Sequence, residues 1–166
     1  PGFDANAFGS TPAAISRNRA VTDVYEPGST FKLVTVAGVL SDGIVRPQST
    51  FTLPYSIHVA DRVIHDAEQR GTETMSVARI LAQSSNVGAI TLAEKLGPTR
   101  LYRWMRRFGF GSTTGIAFPG ESQGFVLRPD EWSGSTIGNV PIGQGVAVTP
   151  VQMAAAYAMV ANRGVW

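Results

Sequence analysis

Tyr25-Glu26-Pro27-Gly28-Ser29-Thr30-Phe31-Lys32 breaks the chain and then starts a helix. Pro27-Gly28 interrupts whatever precedes it, and Ser29 stands where a helix N-cap would. From Thr30 to Leu40 the apolar residues Phe31, Leu33, Val34, Val36, Ala37, Val39 and Leu40 cover nearly all faces, which predicts a buried helix. Ser41-Asp42-Gly43 ends it. Ser29 and Lys32 thereby share one helix face. Two readings of this Ser-x-x-Lys stand side by side. In one, Ser29 is a plain cap and Lys32 runs its stem out to solvent. In the other, Ser29 is a nucleophile whose own N–H lies beside a developing oxyanion. Burial and the positive helix end then disfavour a protonated Lys32, moving it toward use as a base. Arginine would not serve there, because it keeps its proton in proteins.

The rest of the composition narrows the field. The chain has 166 residues, 43% of them hydrophobic, and a mean hydropathy of +0.04, which is globular rather than disordered composition. Lys and Arg total 14 against 12 Asp and Glu, for a net charge of +2. Twelve of the 14 are arginine; the lysines are Lys32 and Lys95. So small an excess does not argue for nucleic acid. Cysteine is absent, which excludes thiolate zinc sites, disulfide scaffolds and cysteine nucleophiles. No apolar run approaches the length of a membrane span. Pro1 opens the chain without Met, and Trp166 closes it just past a helix end, so we expect a piece of a longer protein.

Outward from residues 25–32, residues 1–20 read as an extended lead-in and Val21–Tyr25 as a short strand. Strand signals follow at Thr50–Leu53 and Ile57–Val63, with a turn at Arg70-Gly71. Thr74 is positioned to cap a short helix over Met75–Ala82. After the polar interruption Gln83-Ser84-Ser85-Asn86, helices are expected over Val87–Leu96 and from Pro98 to Phe108, with Gly97-Pro98 as the break. Gly and Pro at short intervals make 109–149 loops with brief strands. A last helix is expected over 150–161 behind Thr149-Pro150.

Other motifs carry less. Ser84-Ser85-Asn86 reads locally as an interhelix turn with Asn as cap. Paired with Ser29, its hydroxyl could relay a proton and its amide could hold a substrate amide. Gly120-Glu121-Ser122-Gln123-Gly124 matches Gly-x-Ser-x-Gly in letters, but prolines flank it and no His follows it. His58 and His65 lack metal-ligand spacing, and His65-Asp66 enters as an outside candidate for a catalytic role. Gly143-Gln144-Gly145 is read as a turn. Arg100, Arg103 and Arg107 line one helix face, with Arg106 near it and Trp104 and Phe108 interleaved. We read a solvated basic face, with nucleic-acid binding as the rival.

Taken together, Tyr25–Lys32, Arg17-Asn18-Arg19-Ala20-Val21-Thr22-Asp23, Ser84-Ser85-Asn86-Val87-Gly88 and Phe108-Gly109-Phe110-Gly111 resemble a penicillin-binding protein transpeptidase domain. Thr114-Gly115-Ile116, Pro119-Gly120-Glu121, Gly143-Gln144-Gly145 and Val148-Thr149-Pro150-Val151-Gln152-Met153 continue the likeness in the family's order, over nearly the whole chain. The wording around Ser29 is more similar to monofunctional, division-type members.

The resemblance implies an α+β fold: the helical half of a penicillin-binding protein/β-lactamase-like transpeptidase, with much of the central antiparallel sheet missing. Residues 1–166 would be one partial domain, incomplete at the C-terminus. It implies Ser29 as acylated nucleophile, Lys32 as general base, Ser84 as proton shuttle and Asn86 as the holder of the substrate backbone. The substrate would be a peptidoglycan stem peptide, β-lactams would acylate the same serine, and no cofactor or metal is implied. Partners would be wall-synthesis or divisome membrane proteins, not nucleic acid. The location would be the extracytoplasmic face of the bacterial cytoplasmic membrane, through an anchor outside this sequence. A non-catalytic β-lactam sensor or scaffold of the same fold is the alternative. The family's Lys-Thr/Ser-Gly motif is absent from these residues, so we expect this piece by itself to be poorly active, with exposed apolar surface.

Overall fold

The computed structural model describes residues 4–165; residues 1–3 of the expected lead-in and Trp166 lie outside them. Its order begins with a 3₁₀ segment, Ala5–Ser10, then α1 (Ala13–Ser16), α2 (Arg19–Thr22), a 3₁₀ turn at Gly28–Phe31 and α3 (Lys32–Ser41). Next come β1 (Thr50–Leu53), β2 (Ser56–Val59), β3 (Arg62–His65), β4 (Glu73–Ser76), α4 (Val77–Ala82), α5 (Asn86–Leu96) and α6 (Pro98–Arg107). The 3₁₀ segment Pro129–Glu131, α7 (Thr136–Asn139), a second at Val140–Ile142 and α8 (Pro150–Ala161) complete it. Helices dominate, and two small antiparallel sheets pair β1 with β4 and β2 with β3. This is the expected α+β class. No helix among the described residues is long and apolar enough to cross a membrane.

α5 is the central post. Val87, Ala89, Ile90, Leu92, Ala93 and Leu96 are all buried, and only the narrow edge carrying Glu94 and Lys95 is exposed, so most of its surface must be covered. α3, α4 and α6 pack around it, and the β2–β3 hairpin closes its remaining side through Val59, Ala89, Ile90 and Ile142. Gly38 lets α3 come in closely: a Cβ there would lie 2.8 Å from Leu96 and 2.9 Å from Trp104. Trp104 in turn donates to Asp42 at the end of α3 (3.1 Å).

Four local expectations fail for physical reasons. The lead-in and Val21–Tyr25 contain short helical turns instead of extended chain: Asn18 accepts from Ala20 N–H and caps α2, and only Tyr25 forms a bridge, to Val148. Ser29 caps nothing: Gly28–Phe31 is a 3₁₀ turn and the α-helix begins at Lys32. Met75 belongs to β4, because β1 offers it a partner (Phe51 opposite Met75), and Ser76 rather than Thr74 caps the following helix. Ile57–Val63 is a hairpin, not one strand, turning through Ala60 at φ +52.

The 109–149 region is irregular, with one bridge of its own, Phe125 to Ala147. Buried Gln152 ties it to α8, donating to Ser112 O (2.7 Å) and Gln123 O (2.9 Å) and closing a capping box with Thr149. Ser122, read above as no nucleophile, accepts from Gly124 N–H in a turn. Most of the basic face is engaged within the chain: Arg103 pairs with Asp42, Arg106 donates to Phe110 O and Ser112, and Arg107 lies over Trp104.

Gly38→Val should cost about 1–3 kcal/mol by overpacking the α3–α6 contact. Urea unfolding checks it; an unchanged midpoint would contradict the close approach described above.

Candidate active site

Lys32 opens α3 and is 1% exposed. A buried ammonium must find acceptors. Its Nζ donates to Ser84 O, to Ser84 Oγ (3.0 Å) and to Asn86 Oδ1 (2.7 Å). Burial nevertheless wins: it lowers the lysine from 10.5 to about 8, against an opposing pull from the negative charge of Asp66. The snorkelling reading of Lys32 is thereby excluded.

Ser84 reaches the lysine from a left-handed backbone, φ +54, uncommon for a residue with a side chain. That turn points both its carbonyl and its hydroxyl at the amine. Ser85, next along, is the cap of α5: its Oγ accepts from Gly88 N–H (2.9 Å). The expected cap, Asn86, is instead the first helical residue. Its amide is oriented by His65, whose carbonyl accepts from Nδ2 (2.9 Å), leaving Oδ1 for Lys32.

Ser29 is exposed and sits one turn before Lys32. Among the described residues no hydrogen bond joins its Oγ to Lys32 Nζ. The structure therefore gathers Lys32, Ser84 and Asn86 into one cluster and sets Ser29 at its edge. The turn carrying Ser29 is fixed from behind: Gly28 N–H donates to Gly143 O (3.0 Å), and Glu26 accepts from Gly145 N–H (2.9 Å). Gly143 has φ +78, and a Cβ on it would fall 2.1 Å from Gly28 O, so no other residue fits this contact. A hollow opens beside Asn86, lined by Arg62, His65, Asn139, Ile142 and Gln144.

Sequence reasoning named His65-Asp66 as a catalytic candidate but did not place Asp66 beneath the cluster, on Ser85, Val87 and Arg70. Asp66, 6% exposed, accepts from Ser85 Oγ, Val87 N–H and Arg70. Burial pushes its carboxyl up, but the Val87 N–H, the Arg70 guanidinium and the Ser85 hydroxyl outweigh that and hold it below the ordinary value. The signal for that placement was an acid just past the end of β3, 19 residues before Ser85, the cap of α5. His65 contributes its carbonyl, while its ring stacks on Tyr55. Among the described residues no group of three His, Cys, Asp or Glu gathers to hold a metal ion.

The depressed Lys32 leaves a pH signature. Between pH about 8 and 10.5 the unfolded chain keeps a proton that the folded chain has lost, so stability rises with pH in that window. The slope is at most about 1.4 kcal/mol per pH unit. The difference in unfolding free energy between the unsubstituted chain and Lys32→Met, followed by urea titration, should climb there; a flat difference would contradict the burial argument.

Comparison with known proteins places these features in a family. The family model for the penicillin binding protein transpeptidase domain matches residues 1–166. The penicillin-binding protein PbpB of Mycolicibacterium smegmatis is 42% identical over 148 residues, covering 89% of this chain and 23% of that protein. The peptidoglycan D,D-transpeptidase FtsI of Escherichia coli K12 is 35% identical over 167 residues, covering 100% of this chain and 28% of that one. This chain thus spans about a quarter of the length of these relatives. The crystal structure of penicillin binding protein 3 from Mycobacterium tuberculosis complexed with aztreonam superposes with a TM-score of 0.88 at 38% identity, covering 98% of this chain and 36% of that one. With its Ser-x-x-Lys turn, its Ser-Ser-Asn turn and this likeness along its whole length, the chain belongs to the penicillin-binding protein transpeptidase domain family.

Proposed function

We propose that this chain carries the nucleophile and base of a serine D,D-transpeptidase acting on peptidoglycan stem peptides. The observation that carries the reading is the buried Lys32 amine, lowered to about 8 and shared between Ser84 and Asn86. An amine so placed is a usable base near neutral pH. Ser29 Oγ attacks the carbonyl carbon of the D-Ala-D-Ala bond as neutral Lys32 takes its proton. Ser29 N–H, in the first turn of the helical segment, faces the oxyanion. The proton passes by way of Ser84 to the leaving D-alanine nitrogen, the C–N bond breaks, and the acyl ester remains on Ser29. Asn86 holds the substrate backbone. The amine of a neighbouring stem then attacks the ester, giving the cross-link and returning Ser29.

A β-lactam would open its ring on Ser29 in the same way. The aztreonam and ampicillin complexes of the Mycobacterium tuberculosis relative support this. In the whole protein, the reading puts the site on the outer face of the cytoplasmic membrane, held there by an anchoring segment and working beside wall-synthesis membrane proteins.

Fluorescent penicillin and the full-length protein test the reading. Ser29→Ala should abolish labelling. Lys32→Arg should slow it at least about 100-fold, since a guanidinium takes no proton from the serine. The acylation rate should rise with pH through about 8, as Lys32 loses its proton. Labelling of Ser29→Ala at the unsubstituted rate would overturn the assignment. Acylation without cross-linking of stem peptides would make the protein a β-lactam sensor or scaffold instead of an enzyme.

A further inference from the structure

The Ser84–Asn86 turn makes the contacts to Lys32, yet it lies between two helices and carries a left-handed residue. Something must hold it. α3 contributes only the lysine it serves. Ser84 N–H and Ser85 N–H donate to Leu81 O and Ile80 O of α4 (3.1 and 3.0 Å), and the side-chain grip comes from below, from the end of β3. His65 O accepts from Asn86 Nδ2 at 2.9 Å. The Asp66 carboxylate accepts from Ser85 Oγ with both oxygens, each at 3.0 Å, and from Val87 N–H at 3.0 Å. Two consecutive residues thus grasp 85, 86 and 87.

Asp66 is itself anchored. Arg70 donates to Oδ2 through Nε (3.0 Å) and Nη2 (2.6 Å). The same guanidinium donates to Leu53 O and Pro54 O at the end of β1, so the carboxylate is fixed to the sheet. The carboxylate also sits against the N-terminal amides of α5, where negative charge is favoured. Both Asp66 and Ser85 are buried, at 6% and 3% exposure. A carboxylate removed from water and bonded on both oxygens has little freedom to move.

We propose that Asp66 is a positioning residue for the reaction above, acting through Ser85 and the Val87 amide to hold Ser84 Oγ and Asn86 Oδ1 on Lys32 Nζ. This rests on the transpeptidase reading. Asp66 touches neither Ser29 nor the lysine. Its effect on the rate passes through the turn, and a small displacement of a base from its nucleophile costs heavily: about 1 Å can cost about 100-fold. It also acts at a distance through its charge, which favours the protonated lysine. The charged and titratable groups around it are Arg70 and His65 on its own segment, Lys32 on α3, and Glu68 and Glu73 around the adjoining hollow. Glu73 is paired with Arg79.

The test follows acylation of the full-length protein by fluorescent penicillin, separating the fraction of molecules that label from the rate constant of those that do. In Asp66→Asn the labelling rate constant should fall at least about tenfold. The pH at which the rate rises should move downward, because Lys32 loses the charge that favours its proton. In Ser85→Ala, which keeps the carboxylate, the rate constant should fall without that pH displacement. A purely structural role would lower the labelling fraction or the melting temperature and leave both rate constant and pH profile where they were; that result overturns the proposal. If Asp66→Asn does not fold, Ser85→Ala decides alone: slower acylation upholds the proposal and an unchanged rate overturns it. Ser29→Ala, run in parallel, keeps the two claims apart. If it still labels, the transpeptidase reading has failed; if it does not and the other variants acylate normally, only the role of Asp66 has.

Discussion

The arrangement depends on one ammonium group that the fold has taken out of water. Lys32 starts a helix whose other inward residues, Val34, Thr35, Val36 and Val39, belong to the core, so its side chain cannot reach solvent without moving that helix. A cation in such a place must be met by acceptors or lose its proton. This chain does some of both. Ser84 and Asn86 meet it, and burial still makes the proton easier to remove. The left-handed turn at Ser84, the amide orientation of Asn86 and the cap at Ser85 all serve to bring oxygen atoms to one nitrogen.

The acceptors are uncharged, and that sets the balance. A carboxylate in direct contact would pair with the ammonium and hold its proton. The nearby carboxylate, Asp66, is instead turned away and occupied by Arg70, Ser85 and Val87 N–H. Its charge is felt by Lys32, but its oxygens are elsewhere. The ion pair with Arg70 keeps the acid from becoming the lysine's partner.

Much of this was legible in the sequence, for local reasons. Pro98 behind Gly97, and Thr149-Pro150 with Gln152, are start signals that need no tertiary information, and α6 and α8 formed where they pointed. Ser29 and Lys32 stood out by spacing, Ser84 and Asn86 by likeness to a family. What stayed hidden was paired across the chain. Met75 carries good helical neighbours, and only β1, more than 20 residues away, makes it a strand. The hairpin at Ala60 has neither Gly nor Asn to announce it. Asp66 has no periodicity to mark it, because its meaning lies in Ser85 and Val87.

The glycine contact behind Ser29 bears on the order in which the molecule can assemble. Gly28 is held by Gly143, Glu26 by Gly145 at a separation of 119 residues, and Thr30 O by the Tyr157 hydroxyl at 127. Lys32 meets its partners after only 52 to 54 residues. Closing the longer loops costs more chain entropy, and during synthesis the later residues do not yet exist when the earlier ones emerge. Lys32 can therefore be seated on Ser84 and Asn86 while the Ser29 turn still lacks its backing. The backing of the Ser29 turn thus comes from residues 143–157, near the end of this chain.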